Sequence, residues 1–318
     1  MLFMDYASAR TKAFGYLLTA VSILIWGITF VSTKALLIDF SALEILFIRF
    51  VLAYALLWVL YPHRVYVKSV HNELLFLMAG FCGVLLYQLL ENIAIMYTSA
   101  SNVSIIVSLC PIFTALIAQL FLHEKHITVH FIAGCAIAIV GVALVSFNGT
   151  VQFHFNPRGD ILALISGILW GVYSLAVSKI NLLGLPPVAV TRRIFFWTVL
   201  MMLPLTLCGA FVPRLATAIS FLVRFDPQIN ALRFAHPQNW FNLLFLGCIA
   251  SAFCFIAWNK ACLILGAVRT SIGIYLIPVV TTICAYFLLD EKITVMGIVG
   301  MLCTIGGLVI SNWKKQER

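Results

Sequence analysis

Residues 92–125 read NIAIMYTSASNVSIIVSLCPIFTALIAQLFLHEK, and residues 259–292 read NKACLILGAVRTSIGIYLIPVVTTICAYFLLDEK. Laid over each other at an offset of 167, they agree at 12 of 34 positions. Among these are Asn92/Asn259, Ala94/Ala261, Ala100/Ala267, Ser104/Ser271, Pro111/Pro278, Glu124/Glu291 and Lys125/Lys292. Upstream, an offset of 144 pairs Ser22/Ser166, Trp26/Trp170, Gly27/Gly171 and Arg49/Arg193. Downstream, an offset of 166 pairs Ile127/Ile293, Thr128/Thr294, Gly134/Gly300 and Gly141/Gly307. The 23 residues separating the first two offsets are the extra length of a segment at 213–239. Self-similarity of this extent marks an internal duplication.

Composition says what solvates the two copies. Of 318 residues, 63% are hydrophobic and 10% charged, with a mean hydropathy of +1.08. Soluble chains are roughly 45–50% apolar and about 25% charged. Too few charges remain to cover a globule in water, and disorder needs the opposite balance. The chain is an all-α integral membrane protein. Its net charge of +9 comes from Lys and Arg scattered singly or in pairs at the edges of apolar runs. That distribution suits membrane orientation and not nucleic-acid binding. The nine cysteines lie in apolar stretches with no C-x-x-C pair, which reads as buried thiols and not as a metal site or disulfide framework. The first apolar run, 14–37, is long enough to span and shows no small-residue cleavage site, so it is not read as a cleavable signal.

A bilayer core of about 30 Å takes roughly 20 helical residues. Ten spans are expected: 14–36, 41–61, 73–97, 100–122 and 127–147, then 159–180, 188–211, 240–263, 267–289 and 293–312. Five spans per copy is odd, so the second copy enters from the opposite side. The expected domains are two inverted five-helix repeats, 14–147 and 159–312. With both termini cytoplasmic, the inside segments carry eleven Lys and Arg (10, 12, 64, 68, 125, 179, 260, 269, 314, 315 and 318). The outside segments then carry six (34, 158, 214, 224, 233 and 292), and Arg49, Arg192 and Arg193 lie within spans. The positive-inside bias favours that orientation. Inverted repeats suit alternating access to a midplane site, which points to a transporter.

The blocks Ala94…Ala100-Ser101…Pro111…FLHEK (121–125) and Ala261…Gly266-Ala267…Pro278…FLLDEK (287–292) resemble the EamA-type family of the drug/metabolite transporter superfamily. Gly134/Gly141, Gly300/Gly307, Trp26-Gly27 and Trp170-Gly171 fit the same pattern, so the resemblance covers nearly the whole chain. It implies a ten-helix secondary carrier that exports amino acids or other small metabolites across a bacterial inner membrane. The loop after span seven is longer than the family pattern.

Several residues are candidates for the work. Aromatic and amide side chains deep in spans are costly unless they face protein or water. Trp26, Gln88, Asn92, Asn102, Trp170, Tyr173, Trp258, Asn259 and Tyr275 are therefore substrate-cavity candidates. Trp26 and Trp170 lie about twelve residues inside their spans, too deep for an interfacial belt. Pro111 and Pro278 fall mid-span at matched positions, where a lost backbone hydrogen bond kinks a helix; they read either as packing kinks or as hinges. Arg49 lies roughly 12 Å and Glu91 roughly 10 Å from the same surface at 1.5 Å per residue. They are expected to pair, as a structural ion pair, a substrate contact or a proton-coupling site. The second copy keeps Arg193 but has Trp258 in place of Glu91. Glu124 and Glu291, each followed by a Thr, read as helix-break and capping residues. His123-Glu124-Lys125-His126 misses the H-E-x-x-H zinc motif because position 127 is Ile.

No catalytic set, metal site, cofactor or phosphate-binding loop is expected. A proton or counter-substrate gradient would supply any driving force. Alternatives on the same fold are import or exchange of sugars or nucleotide-sugars. A membrane-embedded enzyme is a less favoured alternative, since Glu91 is the one deep carboxylate, and the inverted repeat with matched prolines speaks against a lipid scramblase or assembly scaffold.

Overall fold

The computed structural model describes residues 9–67, 69–97, 103, 106–123, 127–147, 156–211, 232–289 and 293–312. Apolar runs become helices because backbone polar groups in lipid must be satisfied within the segment. The first is α1, Ala9–Leu36, followed by α2, Ala42–Leu60. α3 has three parts: Val70–Met78, a π-helical stretch Ala79–Leu86, and Tyr87–Tyr97. Then come α4, Cys110–Leu122; α5, Val129–Phe147; α6, Pro157–Asn181; and α7, Pro187–Phe211. α8 repeats the three-part plan, with Pro237–Leu244, π-helical Phe245–Phe253 and Cys254–Leu265. α9 joins Ala267–Ile272 through a 3-10 turn, Gly273–Tyr275, to Leu276–Leu289, and α10 is Val295–Ser311. Eight of these contain a stretch long and apolar enough to cross a membrane, while α4 and α10 are shorter apolar helices.

Local chemistry starts and stops the helices. Ser41 and Glu44 form a capping box at the start of α2, Asn156 caps α6, and Thr294 caps α10 by accepting from the Gly297 amide. Thr128 likewise accepts from the Phe131 amide, so the capping expected near residues 124 and 291 is done by the threonines. Glu124 and Glu291 lie outside the described residues. Gly266 closes α8 at φ +87°, a conformation that L side chains rarely adopt.

The prolines differ from the sequence expectation. Pro111 stands in the first turn of α4, after turn residues at 108–109, and Pro278 follows the 3-10 turn of α9. Each follows a break in regular helix instead of kinking a continuous one. In a first turn the missing N–H has no partner to lose.

Helix pairings recur between the halves. α1 packs on the last part of α8, and the last part of α3 packs on α6. The π stretch of α8 lies on α2, and that of α3 on α7. Gly80 and Gly247, at the 167 offset, sit in these π stretches. A Cβ on Gly80 would stand 2.8 Å from the Ile194 carbonyl, and one on Gly247 would stand 3.1 Å from the Arg49 carbonyl. The closest pairing is α5 with α10. A Cβ on Gly300 or Gly307 would meet the carbonyl of Gly141 or Gly134 at 2.7 or 2.6 Å. Small residues let these backbones touch, the means by which helices associate where lipid supplies no hydrophobic drive.

Candidate functional site

Three indoles from three helices meet inside the bundle. Trp258 of α8 is fully buried, Trp170 of α6 nearly so, and Trp26 of α1 partly. Ring centroids stand 5.0 Å apart for Trp26–Trp258, 5.7 Å for Trp170–Trp258 and 6.0 Å for Trp26–Trp170. Tyr87 and Tyr173 each lie 5.1 Å from Trp170, and Phe255 lies 5.6 Å from Trp26. Offset and edge geometries of this kind add about 0.5–1.5 kcal/mol per pair beyond area burial. The Trp26 Nε1 donates to the Ala250 carbonyl at 2.9 Å, inside the π stretch of α8. Widened π turns leave carbonyls available to such donors and recur at functional positions.

Beside the indoles runs a chain of hydrogen bonds across α6, α8 and α7. The Tyr173 hydroxyl donates to Asn259 Oδ1 at 2.8 Å, and Asn259 Nδ2 donates to Thr191 Oγ1 at 3.0 Å. Thr191 in turn donates to the Pro187 carbonyl. Asn259 and Tyr173 are buried and held in place. Sequence reading missed Thr191, whose signal was only a hydroxyl in an apolar span. Asn92, the repeat mate of Asn259, is half-buried on α3.

Arg49 is buried on α2. Its Nε donates to Ser251 Oγ in the π stretch of α8, and its Nη1 donates to Gln88 Oε1 at 3.2 Å. Gln88 stands one turn before Glu91 on α3. Glu91 lies within electrostatic reach of Arg49 and hydrogen bonds the Tyr87 hydroxyl. The two charges are thus brought to one locality, with the Gln88 amide and the Ser251 hydroxyl holding the guanidinium.

Tyr275 is fully buried but packs elsewhere, with Ala115 and Ala118 of α4 and Cys135 of α5. Asn102 lies outside the described residues. Among the described residues, no cluster of His, Cys, Asp or Glu has the makings of a metal site.

Two charge clasps brace the periphery, and neither pair was anticipated. Arg193 meets Glu73 of α3 with Nη2–Oε2 at 2.6 Å and Nε at 2.9 Å from both oxygens, while Trp197 Nε1 donates to Oε1. Arg192 donates to the Tyr61 and His63 carbonyls and stacks 4.0 Å over Trp58. At the other clasp, Arg233 reaches Glu44 of α2 at 2.9 Å and covers Phe40. Asn239 bonds Asp39 and the Arg233 carbonyl. The C-terminal end of the 213–239 loop is therefore anchored on α2. Glu44 lies three residues after a capping Ser, which disguised its second partner.

The model of the EamA-like transporter family matches residues 13–147 and again 157–313. An uncharacterized transporter of Archaeoglobus fulgidus is 27% identical over 306 residues, covering 95% of this chain and 98% of its own. A probable terminal-alkyne amino-acid exporter of Streptantibioticus cattleyicolor is 26% identical over 238 residues, covering 74% and 71%. A protein crystal structure 15% identical in sequence superimposes with a TM-score of 0.74, covering 96% of this chain and 97% of that one, which speaks for the fold alone.

Proposed function

The chain belongs to the EamA-like transporter family, a family of membrane transporters and not of enzymes, and on that premise we propose that it is a secondary exporter of amino acids or other small organic metabolites working by alternating access. In this reading ten helices form two inverted five-helix repeats, 14–147 and 159–312, in a bacterial cell membrane with both termini in the cytoplasm. The matched π stretches of α3 and α8 support the inverted arrangement, as does the twofold family match. So do the crossed contacts of Gly27 with Val280 and of Gly171 with Phe113, partners that are themselves 167 residues apart. The relative named as an amino-acid exporter favours that solute class over sugars.

The indole cluster is the observation that carries the transport path. Its Trp26 and Trp170 occupy repeat-matched positions on α1 and α6, and Trp258 comes from α8. Packed rings close the centre in this conformation, so a solute passes only when the helices carrying them part. Midplane sites at a repeat interface suit such movement. Arg49 and Glu91 supply charge at the edge of the same centre, and a proton or counter-substrate gradient supplies the drive.

Counterflow in proteoliposomes against an amino-acid and sugar panel tests this reading. Trp26→Ala and Trp170→Ala should lower transport well beyond any loss of folded protein. Wild-type rates in both variants would remove the indole cluster from the path, and a panel with no transported member would remove the transport assignment.

A further inference from the structure

The repeat mates α2 and α7 pack on one another. Phe50 meets Phe195 at 4.9 Å, Tyr54 meets Phe196 at 6.2 Å, and Trp58 lies under the Arg192 guanidinium at 4.0 Å. The end of α2 therefore lies at the start of α7. Arg192 is 6% exposed, and it donates to the carbonyls of Tyr61 and His63, just past the last residue of α2. A desolvated cation over an indole, set at the negative end of a helix, makes a firm tie.

The two helices are tied differently. α2 is held at both ends, by Arg233 on Glu44 at its start and by Arg192 at its end. α7 is held at one. Among the described residues, its hydrogen bonds to other elements come from positions 191–198. Thr191 accepts from Asn259, Arg193 holds Glu73 and the Val65 carbonyl, Trp197 donates to Glu73, and Thr198 donates to the Gly80 carbonyl. Farther along, the Thr206 hydroxyl returns to the Met202 and Leu203 carbonyls of its own helix.

Between the tied start and the far end stands Pro204, inside α7 and exposed on its surface. A proline there removes the bond to the Leu200 carbonyl and weakens the helix against bending. Neither feature is repeated in α2. At the offset of 144, Arg192 answers to Ile48 and Pro204 to Leu60. Two identical inverted halves would have mirror-image conformations of equal free energy, with nothing to choose which face opens. A tie at one end of α7 and a weak point towards the other make that choice.

We propose that α7 works as a one-ended lever: Arg192 keeps shut the face where α2 ends, and the segment past Pro204 swings to open the opposite face. The proposal goes beyond the transport reading, and its readout, thiol exposure, needs no transported solute.

Buried native cysteines of α8 serve as probes. Cys254 lies beside Arg49, and Cys262 packs in the core that holds the indoles. An impermeant maleimide is applied to right-side-out and to inside-out membrane vesicles, and the labelled peptides are quantified by mass spectrometry. In wild-type protein labelling should come from the face where α7 ends. Arg192→Gln should raise labelling from the opposite face by about tenfold, the equivalent of one buried bond to a charged group. Arg192→Lys, a point charge without the planar fork, should raise it by less. Pro204→Ala should lower labelling from the face where α7 ends by about fivefold, while thermal stability holds or rises because a helix-interior proline has gone. Should Arg192→Gln fail to fold, the Lys and Pro204 variants carry the test. Equal labelling from both faces in wild-type protein, or none from either, would overturn the lever. So would Arg192 variants as closed as wild type on the α2 face, or Pro204→Ala with unchanged labelling. Each of these results leaves the transport reading to be judged by counterflow.

Discussion

Tyr173→Phe isolates one link of the chain from α6 through α8 to α7. The lost hydroxyl leaves Asn259 Oδ1, in a side chain 1% exposed, without its 2.8 Å donor, while the 3.0 Å bond to Thr191 remains. Interhelical hydrogen bonds in membrane proteins average only about 0.6 kcal/mol, because the unfolded chain in the bilayer also finds partners. Leaving a buried acceptor unmet costs more, about 1–3 kcal/mol, and burial at this depth keeps water from compensating. The expected loss for Tyr173→Phe is therefore about 1–2 kcal/mol, roughly a 5- to 30-fold drop in the folded-to-unfolded ratio. Thr191→Val should cost a similar amount by orphaning Asn259 Nδ2. The triple change Tyr173→Phe/Asn259→Leu/Thr191→Val removes both ends of each bond and should come close to wild type, because nothing polar is left unpaired. Reversible unfolding in mixed micelles, followed by tryptophan fluorescence, reads all three directly, since Tyr173 lies 5.1 Å from Trp170. A Tyr173→Phe protein as stable as wild type would refute the reasoning, as would a triple variant that loses the sum of the single losses.

Other expectations concern the frame around the site. Gly307→Val drives a branched side chain into the α5 backbone 2.6 Å away and should cost about 1–3 kcal/mol, whereas Gly306→Ala, which meets nothing within 4 Å, should be neutral in the same unfolding assay. Glu73→Gln should lower folded yield by stranding Arg193, and Arg193→Gln in the same chain should recover part of it, as a double-mutant cycle on detergent-extracted protein will show. Glu91→Gln separates a structural role, seen as lost yield partly rescued by Arg49→Gln, from a coupling role, seen as normal yield with pH-independent transport; wild-type yield and pH profile would exclude both. A reporter after Arg318 should be cytoplasmic and a tag at Gln228 reachable from outside, and finding both on one side would end the inverted-repeat reading.

Much of this molecule was legible before any coordinates, and for a local reason. Lipid imposes its demand segment by segment, so hydropathy and length marked each helix, and a duplicated chain announced itself through Asn92/Asn259, Pro111/Pro278 and Trp26/Trp170. The depth of Trp26 and Trp170 in their spans likewise marked them for the interior, where the structure gathers them with Trp258. Partner choice was not legible. Which acid meets Arg193 depends on the register of α7 against α3, and the answer, Glu73, lies 120 residues away in the other half of the chain. Arg49 keeps Glu91 in its vicinity, yet its hydrogen bonds to Gln88 and Ser251 follow from how the π stretch of α8 rides on α2. Two tryptophans at repeat-matched positions, Trp26 and Trp170, differ in the fold, one spent on the Ala250 carbonyl and the other left with a free N–H. Sequence determined which segments are apolar and helical, because hydropathy and length are properties of a segment. Only tertiary structure decided which polar atoms are met and which are left open, because a hydrogen bond is a relation between helices fixed to within a few tenths of an ångström.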